Sequence, residues 1–176
     1  GLGDVYKRQH KKYLHLDLHP GNIFLENFDF ETMTAGFAKF IDFYSAVKIN
    51  EEGKGIKKEH LSFTNGFTAP EQLNSNQVIF TASADTYAVA AITARMFLGK
   101  DFLSKTEKLD VGYSRELIYH GQNPILDILL RKFLICGLEY SEDYRFTDAD
   151  KMRKTLSALM ESIQAYKTSD YYGLFE

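Results

Sequence analysis

The most informative stretch of the sequence is His15-Leu16-Asp17-Leu18-His19-Pro20-Gly21-Asn22, which leads into the apolar run Ile23-Phe24-Leu25. Its Pro-Gly pair predicts a tight turn, because proline fixes φ and glycine tolerates positive φ. The carboxylate of Asp17 and the amide of Asn22 lie on this one loop, where both can face the same small volume. Such a pair suits a proton acceptor beside a ligand for a divalent cation.

Composition limits the classes of protein that fit the sequence. The chain has 176 residues, of which 44% are hydrophobic and 26% charged. This length and composition are typical of one globular domain with a substantial core. A net charge of −3 argues against a nucleic-acid partner, which favours a basic chain. No apolar run approaches the eighteen or so residues of a membrane span. The single cysteine, Cys136, cannot form an internal disulfide, so we expect a reducing, cytoplasmic location.

Short apolar and polar segments follow the Pro-Gly loop. Residues 23–25 and 38–41 are apolar and predict a small β-hairpin with a long connection. Asp42-Phe43-Tyr44 comes directly after the second segment. Residues 48–62 are polar and contain glycine, which predicts a mobile surface loop. That loop ends in Thr64-Asn65-Gly66-Phe67-Thr68-Ala69-Pro70-Glu71.

Hydrophobic patterning in the second half predicts long helices. Residues 81–98 are apolar on nearly every face, which is typical of a helix buried in the core. Asn123 and Pro124 are suited to begin a second helix, and Gly137 to end it. We expect Thr147 to cap the last helix, whose apolar residues recur at helical spacing.

Five of these elements together resemble the protein kinase superfamily. The His-x-Asp-x-x-x-x-Asn pattern at 15–22 is similar to the catalytic loop, and residues 42–44 resemble the Asp-Phe-Gly motif. Residues 64–71 resemble the Thr-x-x-Tyr/Phe-x-Ala-Pro-Glu ending of the activation segment. The elements at 83–87 and 141–147 follow in the family's order, and the resemblance covers roughly residues 10–166.

The resemblance implies chemical roles for five residues. Asp17 would accept the proton of the acceptor hydroxyl or orient that hydroxyl, and Asn22 and Asp42 would hold Mg²⁺ against the phosphates of ATP. His19 stands where the family commonly has a catalytic-loop lysine that contacts phosphate. Phe24 would form the floor of the adenine pocket.

The resemblance also implies five structural residues. Thr64 would form a hydrogen bond near the catalytic carboxylate and shape the platform for the acceptor peptide. His15 is a structural residue of the loop, and Asp85 would accept backbone hydrogen bonds from the catalytic loop. Arg145 would pair with Glu71, the last residue of the Ala-Pro-Glu ending, and hold the activation segment on the helical core.

Three positions depart from the family's pattern. Leu16 replaces the arginine that commonly reads phosphorylation of the activation loop, so we expect activity that does not need this switch. Tyr44 replaces a glycine, which restricts the backbone next to Asp42. His19 can contact phosphate, but less reliably than lysine at neutral pH.

The sequence therefore predicts a mainly α fold with a small β-hairpin, similar to the C-terminal lobe of a protein kinase with the N-terminal lobe absent. Residues 1–9 are expected to be a non-native or disordered leader, 10–166 the lobe and 167–176 a tail. The Gly-rich loop, strand lysine and partner-helix glutamate of an N-terminal lobe have no counterpart before residue 10. We expect this chain to be a fragment that is inactive alone.

The function that the resemblance implies is ATP-dependent transfer of a phosphoryl group to a serine or threonine of a protein substrate. Two alternatives remain at this point. One is a pseudokinase module that binds a partner, which Leu16, His19 and Tyr44 favour. The other is a small-molecule phosphotransferase of the aminoglycoside or choline kinase kind, which His19 favours. Thr64 and Glu71 favour a protein kinase, since those residues serve a peptide acceptor.

Overall fold

The structure, a computed structural model, describes residues 12–29, 31, 36–56, 61–98 and 124–172. Within these residues it has three α-helices: α1 (Ala82–Leu98), α2 (Pro124–Gly137) and α3 (Ala149–Tyr172). All three were expected from the hydrophobic pattern. None of the described helices is long and apolar enough to cross a bilayer. The leader proposed at residues 1–9 lies outside the described residues.

Short strands pair two by two in the described part of the chain. They are β1 (Tyr13–Leu14), β2 (Ile23–Glu26), β3 (Phe37–Phe40), β4 (Val47–Lys48), β5 (Gly55–Ile56) and β6 (Ile79–Phe80). The hairpin expected from the sequence is β2 with β3, in which Ile23 lies opposite Phe40 and Glu26 opposite Phe37. Two further antiparallel pairs, β1 with β4 and β5 with β6, were not predicted, because two-residue strands are too short for alternation to reveal them.

The prediction of a mobile loop over residues 48–62 is wrong for the first half of that range. Ile49 forms a bridge with Gly55, and the amide of Asn50 donates to the carbonyl of Lys54 at 2.9 Å. Gly53 has a φ of 78° at the tip of this turn. The polar composition thus reflects a hairpin turn, and pairing with β1 and β6 orders its flanks.

The helical core lies where α1, α2 and α3 pack together, with α2 between the other two in the extent of its contacts. Ala90, Ala91 and Ala94 of α1 are fully buried, together with Phe133 of α2 and Met152 of α3. Alanine on the buried face of α1 lets α2 approach closely, and α3 packs mainly against α2.

At Gly137, α2 lies in close contact with α1. A Cβ added there would lie 2.4 Å from the Cβ of Ala90. We expect Gly137→Ala to lower the free energy of unfolding by about 1–3 kcal/mol through overpacking. Helix propensity alone predicts the opposite sign, about 1 kcal/mol of stabilisation. Urea unfolding decides between them, and if the clash is the cause, Ala90→Gly should cost less in the Gly137→Ala background than it costs alone.

The cap of α3 differs from the expectation. The helix begins at Ala149, and the amide of Lys151 donates to Oδ1 of Asp148 at 2.8 Å, so Asp148 is the capping residue. Thr147 instead accepts a hydrogen bond from the Lys151 ammonium at 3.2 Å. Both side chains are good caps, and the backbone turn before α3 selects the later one.

A second buried cluster holds the loop after β1 against the start of α1. Its members are Leu14, Leu16, Val47, Ala69, Phe80 and Ala84. Three parts of the chain that are distant in sequence meet in this cluster: residues 14–16, Val47 of β4, and residues 69–84. Their apolar burial positions the polar residues described next.

Candidate active site

The loop after β1 is fixed by the carboxylate of Asp85, in the first turn of α1. Oδ2 of Asp85 accepts the amide of His15 at 2.7 Å, and Oδ1 accepts the amide of Leu16 at 2.8 Å. Burial raises the pKa of the Asp85 carboxyl, while the two backbone donors act in the opposite direction. Leu16 has a φ of 64°, a strained value for a leucine, and this clamp helps to hold it.

His15 joins the loop after β1 to the segment after β3. Its side chain is buried, and Nε2 lies 3.0 Å from the carbonyl oxygen of Ile41, to which it must donate. The imidazole also lies 4.8 Å from the ring of Phe43, centroid to centroid. The residues on either side of Asp42 are therefore both tied to one histidine of the loop.

Asp17 contacts the segment that precedes α1. The hydroxyl of Thr64 donates to Oδ1 of Asp17 at 2.8 Å, across 47 residues of sequence. Nδ2 of Asn22 donates to the backbone carbonyl of Asp17 at 3.0 Å, which closes the Pro-Gly turn. The short 3₁₀ turn Pro20–Asn22 holds Asn22 with its side chain buried. Asp17, Asn22 and Thr64 thus belong to one hydrogen-bonded unit.

Asp42 lies beside Asn22. The amide of Ile41 donates to the carbonyl of Asn22 at 3.0 Å, which continues the β2/β3 ladder to the residue before Asp42. Asp42 has a φ of 57° and an exposed side chain, whose Oδ1 accepts the amide of Tyr44 at 3.3 Å. A positive φ at a non-glycine residue is costly and clusters at functional sites.

The oxygen atoms of Asn22 and Asp42 suit Mg²⁺, which needs few protein ligands, better than a metal ion whose ligands all come from the protein. The described residues contain no group of three or more His, Cys, Asp or Glu that could hold a metal. Mg²⁺ usually takes one or two protein ligands and completes its shell with water and substrate phosphate. The Asp42 carboxylate and Oδ1 of Asn22, which accepts no described hydrogen bond, fit that requirement.

His19 precedes the 3₁₀ turn Pro20–Asn22, and Phe24 lies on β2, which follows that turn. Nδ1 of His19 accepts the amide of Gly21 at 3.1 Å, so the neutral ring carries its proton on Nε2. The neutral imidazole of His19 can therefore donate a hydrogen bond to an anion from Nε2, without needing a positive charge. The sequence alone did not reveal this. The ring of Phe24 is 55% exposed on β2, and within the described residues no hydrogen bond or ring contact joins it to Asp17, Asn22 or Asp42.

Arg145 forms the expected pair with Glu71. Both terminal nitrogens of its guanidinium donate to the two carboxylate oxygens of Glu71, Nη1 at 3.0 Å. The same nitrogens donate to the carbonyls of Ser83 and Tyr140, each at 3.2 Å. The guanidinium is fully buried and lies 5.3 Å from the ring centroid of Tyr87. It therefore joins the end of the 64–71 segment to α1 and to the loop after α2.

Sequence reasoning missed two residues of this assembly. Gln72 is buried, accepts the amide of Ala69 at 3.1 Å and donates to the carbonyl of Leu16 at 2.8 Å, bridging the two loops. Glu142 receives the hydroxyl of Ser83 at 3.4 Å. Burial and the nearby charge of Glu71 raise the pKa of the Glu142 carboxyl. The only signal in the sequence for a role of Glu142 is its position three residues before Arg145.

A comparison of the sequence with models of protein families gives a match that covers all of these residues. The model described as "Protein kinase domain" matches residues 6–170, which is most of the chain. The chain therefore belongs to the protein kinase domain family, and the kinase resemblance of the sequence is confirmed. Membership indicates a phosphotransferase-like protein in general. A search of curated proteins gives no match.

Proposed function

We propose that this chain carries the acceptor side of an ATP-dependent protein kinase that phosphorylates serine or threonine hydroxyls. The observation that carries the proposal is the 2.8 Å hydrogen bond from Thr64 to Asp17. It ties the carboxylate that would receive the hydroxyl proton to the segment on which an acceptor peptide would lie. A phosphotransferase for small alcohols has no need of that segment or of its buried anchor on Arg145.

Four side chains take part in the proposed reaction. The acceptor hydroxyl passes its proton to Asp17 while its oxygen bonds to the γ-phosphorus and ADP leaves. Asn22 and Asp42 would hold Mg²⁺, which supplies neutralisation of charge on the transferring phosphoryl group. His19 would donate from Nε2 to phosphate. Positioning by these residues, rather than covalent catalysis, is the contribution proposed for this lobe.

The direct test is phosphoryl transfer by the natural full-length polypeptide that carries this sequence. We expect Mg²⁺-dependent transfer from radiolabelled ATP to a generic protein substrate, lost at least about a hundredfold in Asp17→Asn. Asp150→Asn is the matched control, since Asp150 is a carboxylate on α3 with an 81% exposed side chain, and it should leave the rate unchanged.

Two results would contradict this proposal. Transfer confined to small alcohols would identify a small-molecule kinase. Absence of any transfer by a folded full-length protein would leave a pseudokinase module, the reading favoured by Leu16 and Tyr44. Phosphoamino-acid analysis of the product tests the preference for serine and threonine over tyrosine.

A further inference from the structure

The ring of Phe67 lies close to the side chains of both Arg95 and His19, next to the proposed site. The guanidinium carbon of Arg95 lies 5.7 Å from the centroid of the Phe67 ring, and the His19 ring lies 6.4 Å from it, centroid to centroid. Phe67 itself is only 5% exposed and belongs to the helical core. The ring is therefore a fixed support, and it holds Arg95, near the end of α1, in a defined place.

Arg95 lies near the segments that carry Asp17 and Thr64. His19 follows Asp17 by two residues, and the amide of Phe67 donates to the carbonyl of Thr64 at 3.0 Å. Since both basic groups contact the one ring, they lie no more than about 12 Å apart, which roughly three or four residues of an extended peptide cover.

The charge of Arg95 is not neutralised within the described residues. Five ion pairs join basic and acidic side chains there, and none includes Arg95. Arginine stays protonated at any physiological pH and binds carboxylates and phosphates through paired N–H groups. A guanidinium that packs its face against an aromatic ring keeps those edge groups available for an anion.

We propose that Arg95 determines acceptor specificity by binding an acidic side chain of the protein substrate, within about four residues of the phosphorylated hydroxyl. The proposal builds on the function given above and names its substrate class, acidic rather than basic acceptor segments. Arg95 would bind substrate without taking part in the transfer itself.

The test is binding of fluorescent peptides to the natural full-length polypeptide, which needs no phosphoryl transfer. A set of peptides has a central serine and one variable residue, glutamate, glutamine, lysine or phosphoserine, placed two, three or four residues to either side. We expect the best glutamate peptide to bind about fivefold more tightly than its glutamine counterpart at low salt, with lysine weakest. A phosphoserine peptide that binds more tightly than glutamate supports the same site and shows that it prefers a dianion.

Substitutions assign the effect to Arg95. Arg95→Gln should remove the preference for glutamate, and Arg95→Lys should retain part of it. Arg153→Gln is the matched control, since Arg153 is an exposed arginine paired with Asp150, and it should change nothing. Arg95→Met keeps an apolar chain on the Phe67 ring and replaces Arg95→Gln if that variant fails to fold.

Two outcomes overturn the inference: equal Kd values for the glutamate and glutamine peptides, or a glutamate preference that survives in Arg95→Gln and Arg95→Met. The result is independent of the transfer assay. A protein that shows the Arg95-dependent preference but transfers no phosphate contradicts the proposed function alone, and one that transfers phosphate without the preference contradicts this inference alone.

Discussion

Replacing Arg145 by alanine is expected to lower the free energy of unfolding by about 3–5 kcal/mol, because it breaks a buried ion pair. The substitution removes the buried guanidinium that donates to Glu71 and leaves that carboxylate, with only 10% of its side chain exposed, without a counter-charge. The carbonyls of Ser83 and Tyr140 lose a donor as well. Urea or thermal unfolding monitored by circular dichroism measures the change.

Two variants complete the experiment on Arg145. Arg153→Ala removes an arginine whose side chain is 67% exposed, and it should cost less than about 0.5 kcal/mol. Adding Glu71→Gln to Arg145→Ala should recover part of the loss, because the stranded charge is then removed. A loss in Arg145→Ala no greater than in Arg153→Ala would show that the pair contributes little to stability.

Asp85→Ala is expected to destabilise the protein by about 3 kcal/mol and to abolish phosphoryl transfer. Two short backbone hydrogen bonds to a carboxylate are lost, and the amides of His15 and Leu16 are left without their acceptor. Leu16 then has less support for its positive φ, so the loop that carries Asp17 should relax. Unfolding by urea and the transfer assay report the two consequences separately.

Asp150→Ala distinguishes this clamp from a simple helix-dipole effect. Asp150 is also a first-turn carboxylate, in α3, but it is exposed and pairs only with Arg153 among the described residues. It should cost about 0.3–1 kcal/mol. Asp85→Asn should lie between the two, since an amide oxygen still accepts one of the backbone donors. Equal effects of Asp85→Ala and Asp150→Ala would contradict the clamp.

Local patterns explain why much of the fold could be read from the sequence. The all-round apolar run at 81–98 can only be a buried helix, and the structure has α1 there. The β2/β3 hairpin has four residue pairs, enough for its apolar character to be recognised. The pair of Glu71 and Arg145 was expected because both residues occur in motifs whose order is diagnostic of the family.

The features that could not be predicted depend on tertiary contacts. The pairs β1/β4 and β5/β6 contain only two residues a strand, and partners from elsewhere in the chain create them. Thr147 and Asp148 are equally good caps by residue type, so only the backbone path selects Asp148. Gln72 is a buried glutamine with no motif of its own. The sequence alone gives Arg95 no special role, because its contact with Phe67 is seen only in the structure.

The Glu71–Arg145 contact also has a kinetic consequence. It joins residues that are 74 positions apart, and closing so long a loop costs chain entropy before the contact can offset that cost. The helices, whose hydrogen bonds are local, can reach native structure earlier. Nascent or refolding chains should therefore pass through a stage in which the helical bundle exists but the segment beside Asp17 has not yet docked.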